Sequence, residues 1–172
     1  MINDDNAGLS GVDVDELIKA IHGGATLKTL NGISDEVMDE LHNMAYAFYQ
    51  NEKLDEAIAL YRFLYIYDFY NAEYAMGIGA ILQLKKQYDK AIDFYALAYA
   101  LSRHDYRPMF YAGECNLMLG KLIQAKECFK IVKEESDEKS LTDKAEIYLN
   151  VINERCGDFK SDEEMKNVHG NE

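Results

Sequence analysis

Basic residues are scarce: Lys and Arg together number 18 against 31 Asp and Glu, for a formal charge of −13. That balance argues against a phosphate-binding surface, which needs clustered cations to release counterions, and so against direct nucleic-acid binding. No uninterrupted apolar run approaches the ~20 residues that cross a bilayer. The stretch Met1–Ser10 carries two aspartates and no cationic start, so it does not read as a signal peptide. There are three cysteines, Cys115, Cys128 and Cys156, without metal-ligand spacing. They suit a reducing cytosol, with the first two as small core residues and Cys156 as an exposed thiol. Proline occurs once.

What remains is a globular composition. The 172 residues are 48% hydrophobic and 28% charged, enough for one domain with a real core. Residues 1–16 carry a net −5 and residues 157–172 a net −3, so the ends are more acidic than the body between them. Both ends read as solvated termini that favour solubility and disfavour anionic membranes.

A repeat organises the middle of the chain. Ala45, Gly79 and Gly113 fall at intervals of 34, as do Ala57, Ala91 and Ala125, and Tyr61, Tyr95 and Phe129. A small residue where two helices cross, an alanine facing it and an aromatic one turn later describe a helix pair. A period of 34 with these columns is that of the tetratricopeptide repeat. The fold class expected is all-α: three such pairs, over about 38–71, 72–105 and 106–139, with an N-terminal helix and a C-terminal capping helix.

Helix start signals agree with that frame. Ser34 precedes Asp35 and Glu36, Asn71 stands before the second unit, and Arg107-Pro108 puts the proline in a first turn. Ser140-x-x-Asp143 resembles a capping box opening a last helix that covers the final repeat. Upstream, Asp13-x-x-Glu16 opens an amphipathic helix with Val14, Leu17, Ile18 and Ile21 on one side, ending at Gly23-Gly24. That helix either folds back on the first repeat or meets a second copy of the chain. The expected organisation is 1–12 flexible, 13–37 helical with a dimer contact, 38–139 repeats, 140–156 capping helix and 157–172 acidic flexible tail.

Stacked helix pairs curve, and their first helices line the concave face. The solvent-facing positions there are His42, Tyr46 and Tyr49, then Glu73, Met76, Ala80 and Gln83, then Arg107, Phe110, Glu114 and Leu117. Aromatic and Met side chains in such a row form an adaptable apolar trough, and the polar ones can hydrogen-bond an extended peptide. Six aromatics lie between Tyr61 and Tyr70, more than one helix face can bury. They read as core and inter-repeat packing, or with Tyr67, Phe69 or Tyr70 edging the groove.

Catalytic chemistry finds no foothold. His22, His42, His104 and His169 lie in different segments, and none is in a paired metal-binding arrangement. Gly77-x-Gly79 reads as glycines at helix crossings, and His104-Asp105 as a solvated turn. The reading is a binding protein without catalytic residues, metal or cofactor; a generic repeat scaffold for protein assembly is the alternative.

Several stretches carry a more specific likeness: Gly24-Ala25-Thr26-Leu27-Lys28, Tyr65-Ile66-Tyr67-Asp68-Phe69-Tyr70, Gln83-Leu84-Lys85-Lys86-Gln87, and Asp105-Tyr106-Arg107-Pro108 with Phe110. Over about residues 16–150 the chain resembles the class II chaperones of bacterial type III secretion, nearest the invasion-associated enteric branch. The resemblance implies a cytosolic chaperone that keeps two hydrophobic translocator proteins soluble and apart before secretion. It implies that an extended N-terminal client segment lies in the concave groove, at Tyr46, Tyr49, Tyr70, Met76, Gln83 and Phe110 among others. It further implies a homodimer through the N-terminal region and, for some members, a role as co-regulator of an AraC-type transcription activator.

Overall fold

The computed structural model describes residues 19–168 except 21 and 103, with side chains as far as residue 154. The expected dimer residues Val14, Leu17, Ile18 and Ile21, and the Cys156 thiol, lie outside the described residues. Among the described residues the chain is all-helical. A short helix α1 (Leu27–Leu30) leads into three antiparallel pairs: α2 (Asp35–Gln50) with α3 (Leu54–Tyr67), α4 (Ala72–Leu84) with α5 (Tyr88–Ser102), and α6 (Arg107–Met118) with α7 (Leu122–Glu135). A long helix α8 (Lys139–Val168) closes the array.

The small and aromatic columns meet inside each pair. A β-carbon on Gly79 would stand 2.8 Å from the Tyr95 ring, and one on Gly113 would stand 2.8 Å from the Phe129 ring. Ala45, Ala57, Ala91 and Ala125 are fully buried at the same crossings. Helix axes can approach this closely only where no larger side chain intervenes.

The turn inside each pair is built three times the same way. Glu52, Lys86 and Gly120 take positive φ of 58°, 57° and 72°. In each case the next N–H reaches back across six residues, from Lys53 to Phe48, Gln87 to Leu82 and Lys121 to Asn116, all at 2.9 Å. This is the Schellman ending of a helix, and the repeat dictates it strongly enough to hold non-glycine residues in two of three places. At the helix starts, Ser34 accepts from the Val37 N–H at 3.4 Å and Asn71 from the Glu73 N–H at 3.0 Å. Ion pairs tie neighbouring units, Lys85 to Asp55 and Lys121 to Asp89. Lys28 joins α1 to Asp35 and Asp68.

Within the expected N-terminal helical region, Thr26 caps α1 by accepting from the Thr29 N–H. At the other end, α8 begins at Lys139, so Ser140 already sits in the first turn and its hydroxyl donates to Glu138 instead of capping. The helix continues to Val168, past the boundary at 156 and through most of the expected tail.

The closing helix packs as the first helix of a fourth unit. Leu141, Ala145 and Ile152 are buried with Phe110, Ala125, Phe129 and Val132, and the Tyr148 ring stacks on Phe129 with centroids 4.6 Å apart. Ile147 stands 34 residues after Gly113 but is 63% exposed, because among the described residues no second helix follows to face it.

Candidate functional site

A cavity of about 550 Å³ opens on the face formed by α2, α4 and α6. From α2 it is lined by His42, Asn43, Tyr46 and Tyr49; from α4 by Glu73, Met76, Gly77, Ala80, Gln83 and Leu84; from α6 by Arg107 and Tyr111. Tyr61 of α3 and Tyr95 of α5 reach it from behind. The α-helical spacing explains the set, since positions three and four apart share a face. Gly77 and Ala80 leave the middle of the floor low, while the tyrosines stand as walls.

The aromatic groups are braced against one another. His42 meets the Tyr61 and Tyr74 rings edge-on, with centroids 5.6 and 5.5 Å apart. Tyr46 stacks near Tyr49, and Tyr95 stacks on Tyr111 at 5.7 Å. Burial pushes the Tyr61 phenol up to about 12 and raises those of Tyr49 and Tyr95. These hydroxyls therefore remain protonated near neutral pH and can donate hydrogen bonds at the edge of apolar walls.

One lip carries compensated charge. Arg107 Nη2 lies 2.5 Å from Glu73 Oε1 and 2.7 Å from Asp105 Oδ2, and Arg107 Nε bonds Asp105 as well. Its carboxylate partners, Asp105 first, hold the guanidinium above its ordinary value. The pair spans 34 residues, linking the first turns of α4 and α6. Half-exposed as it is, it adds little stability and chiefly fixes the spacing of the two helices.

The structure brings together His42, Tyr46, Tyr49, Glu73, Met76, Ala80, Gln83 and Arg107 from the residues expected in the groove. It does not bring in four others. Phe110 is 5% exposed, packed edge-on to Phe129 and Tyr148, so its ring belongs to the core. Leu117 packs against that same core. Tyr70 lies in the turn between α3 and α4, against Phe69 and away from the cavity. Glu114 stands behind the wall, accepting from Gln83 at 3.3 Å.

Sequence reasoning missed Asn43, Tyr61, Gly77, Leu84, Tyr95 and Tyr111. A signal was present for three of them, because Asn43, Gly77 and Tyr111 are a further column at intervals of 34. Tyr61 and Tyr95 read as filler between helices, and they are; their ring edges also surface in the cavity.

Among the described residues, no group of His, Cys, Asp or Glu could hold a metal ion, and no helix is long and apolar enough to cross a membrane. What the site can do is take apolar side chains between aromatic walls and hydrogen-bond the backbone between them.

Comparison with known proteins gives this geometry its context. A tetratricopeptide-repeat model matches residues 38–71 and 72–105. The chain is 48% identical over 133 residues to the chaperone protein SicA of Salmonella typhimurium, covering 77% of this chain and 81% of that one. It superimposes on the Yersinia enterocolitica type III secretion chaperone SycD, crystallised with a peptide of the translocator YopD. That match has a TM-score of 0.68 at 28% identity and covers 72% of this chain and 97% of the other. It is also similar to PcrH in complex with the chaperone binding region of PopD, with a TM-score of 0.67 at 27% identity, covering 72% and 96%.

Proposed function

The chain belongs to the class II chaperones of type III secretion translocators, a tetratricopeptide-repeat family, and from that premise we propose that its groove holds an extended N-terminal segment of a hydrophobic translocator. The family is one of chaperones rather than enzymes. The observation that carries the reading is the aromatic-walled cavity on the inner face of the first helices, with small residues on its floor. Relatives crystallised with translocator segments, SycD with a YopD peptide and PcrH with regions of PopD and PopB, support it.

The physics needs no nucleotide. Seating apolar side chains between the tyrosines removes surface from water on both partners, worth about 25 cal/mol per Å² before ordering costs. Ordering a disordered segment offsets several kcal/mol of that gain, leaving a moderate affinity. Moderate affinity suits a protein that must hand its client on, and the net negative charge keeps the complex soluble. The work is done in the bacterial cytosol, where two translocators are kept soluble and apart.

Two further parts of the reading rest on the family alone. The client-free chain pairs with a second copy through Val14, Leu17, Ile18 and Ile21; sedimentation of the chain and of a Leu17→Asp/Ile21→Asp variant tests this. The chain also serves as co-regulator of an AraC-type activator; a reporter fused to that activator's promoter, with and without the chain, tests it.

Co-expression tests the chaperone role itself. Hydrophobic type III translocators co-expressed with the chain are expected in the soluble fraction with the intact chain and in the pellet without it. With Tyr46→Ala/Tyr49→Ala they are expected in the pellet again, provided that variant keeps a cooperative helical melt. Equal solubility with and without the chain would overturn the reading.

A further inference from the structure

Gln83 lines the cavity, and its neighbours allow its amide one orientation. Its Nε2 lies 3.3 Å from Glu114 Oε2, and its Oε1 lies 2.6 Å from the Tyr95 hydroxyl. An ionised carboxylate only accepts, so the nitrogen faces Glu114 and Tyr95 donates to the oxygen. The second carboxylate oxygen of Glu114 takes the Tyr148 hydroxyl at 2.9 Å. Four side chains thus form one relay between the groove wall and α8, with the donors on both sides converging on Glu114. Glu114 is in no ion pair among the described residues, so these two neutral donors, from α4 and α8, are what hold it.

The repeat gives this relay a second reason. Tyr148 lies 34 residues after Glu114. Tyr46 and Ala80 occupy the same position in the first two units, and both line the cavity. The column that faces the cavity in the first two units is thus taken up, behind the wall, by Glu114 and by Tyr148 of the closing helix. An amide nitrogen carries two hydrogens, and Glu114 takes one. The other has no partner among the described residues, on a side chain that borders the cavity.

We propose that Glu114 and Tyr148 are positioning residues of the groove, which hold the Gln83 amide so that its second N–H meets a backbone carbonyl of the bound segment. The inference rests on the groove being the client site. It makes the closing helix part of that site as well as a cover for the third unit. Because a backbone carbonyl is common to every residue, the contact fixes where an extended client lies without demanding a side chain there. Donation from the Tyr95 hydroxyl to the amide oxygen polarises the amide, which strengthens the free N–H as a donor. Without the relay, the amide can turn over and present its oxygen, which a carbonyl cannot use.

The test is a titration of the chain with a fluorescein-labelled N-terminal fragment of a hydrophobic type III translocator from the same bacterium. Tyr148→Phe keeps the ring on Phe129 and removes only the hydroxyl, so its thermal melt is expected to stay close to that of the unmodified chain. Its affinity is expected to fall roughly fivefold to tenfold, the effect of one hydrogen bond. In a Gln83→Ala background the same substitution is expected to change nothing. Full affinity in Tyr148→Phe, or an equal loss in the Gln83→Ala background, would overturn the inference while leaving the groove as the client site. Failure of the unmodified chain to bind the fragment at all would instead overturn the groove reading on which it rests.

Discussion

The Tyr61 ring occupies the space that a β-carbon on Gly77 would need: three of its ring carbons would overlap with one. Tyr61 is 3% exposed, so its ring would have to leave its packed position. Gly77→Ala gains up to about 1 kcal/mol of helix propensity but overpacks the crossing at a cost of about 1–3 kcal/mol. The expected outcome is a net loss of stability in urea unfolding, with weaker client binding because the cavity floor is raised. A more stable variant with unchanged binding would contradict this close packing.

Phe110 separates core from groove. Its ring is enclosed by Tyr111, Phe129 and Tyr148. Phe110→Ala is expected to destabilise the chain by about 3–5 kcal/mol. Tyr46→Ala, by contrast, removes a ring that is 50% exposed and is expected to cost little stability. Chemical unfolding of the two variants side by side checks the contrast.

Glu52 and Lys86 hold the left-handed conformation that Gly120 holds without strain. Glu52→Gly and Lys86→Gly are each expected to stabilise the chain by about 1 kcal/mol. Both lie in exposed turns, so client affinity is expected to stay unchanged. Thermal melts read the first effect and fluorescence titration the second.

Burial pushes the phenols of Tyr61 and Tyr148 up to about 12, with the Glu114 carboxylate adding to the effect at Tyr148. In the unfolded chain these groups ionise near about 10. Between those values the folded chain keeps protons that the unfolded chain gives up, so stability is full below pH 10 and is lost as pH rises toward 12. The urea midpoint is expected to drop from pH 8 to pH 11, and Tyr61→Phe is expected to flatten part of that drop.

The repeat was legible because helix crossings demand particular residues: Gly79 against Tyr95 and Gly113 against Phe129 leave no other choice of size. The groove was legible to within one helical position. On α6, Phe110 and Tyr111 are adjacent and both aromatic, so hydrophobicity alone could not say which turned inward. The closing helix decides it, because Tyr148 covers Phe110 while Tyr111 is left against Tyr95. Tyr61 and Tyr95 escaped notice for a different reason: one side chain serves both the crossing and the cavity wall, and a pattern assigns it only one role. The period of 34 relates Glu114 to Tyr148, but it does not report that Glu114 accepts from both Tyr148 and Gln83.

The proposed path of the client follows the inner face of the first helices. Photocrosslinking tests it most directly, with a benzoylphenylalanine placed in turn at Asn43 and Leu84, which line the cavity, and at Ile123, which is exposed elsewhere. Crosslinks to the N-terminal fragment of the translocator are expected from positions 43 and 84 and none from 123. Crosslinks from 123 with none from 43 or 84 would contradict it.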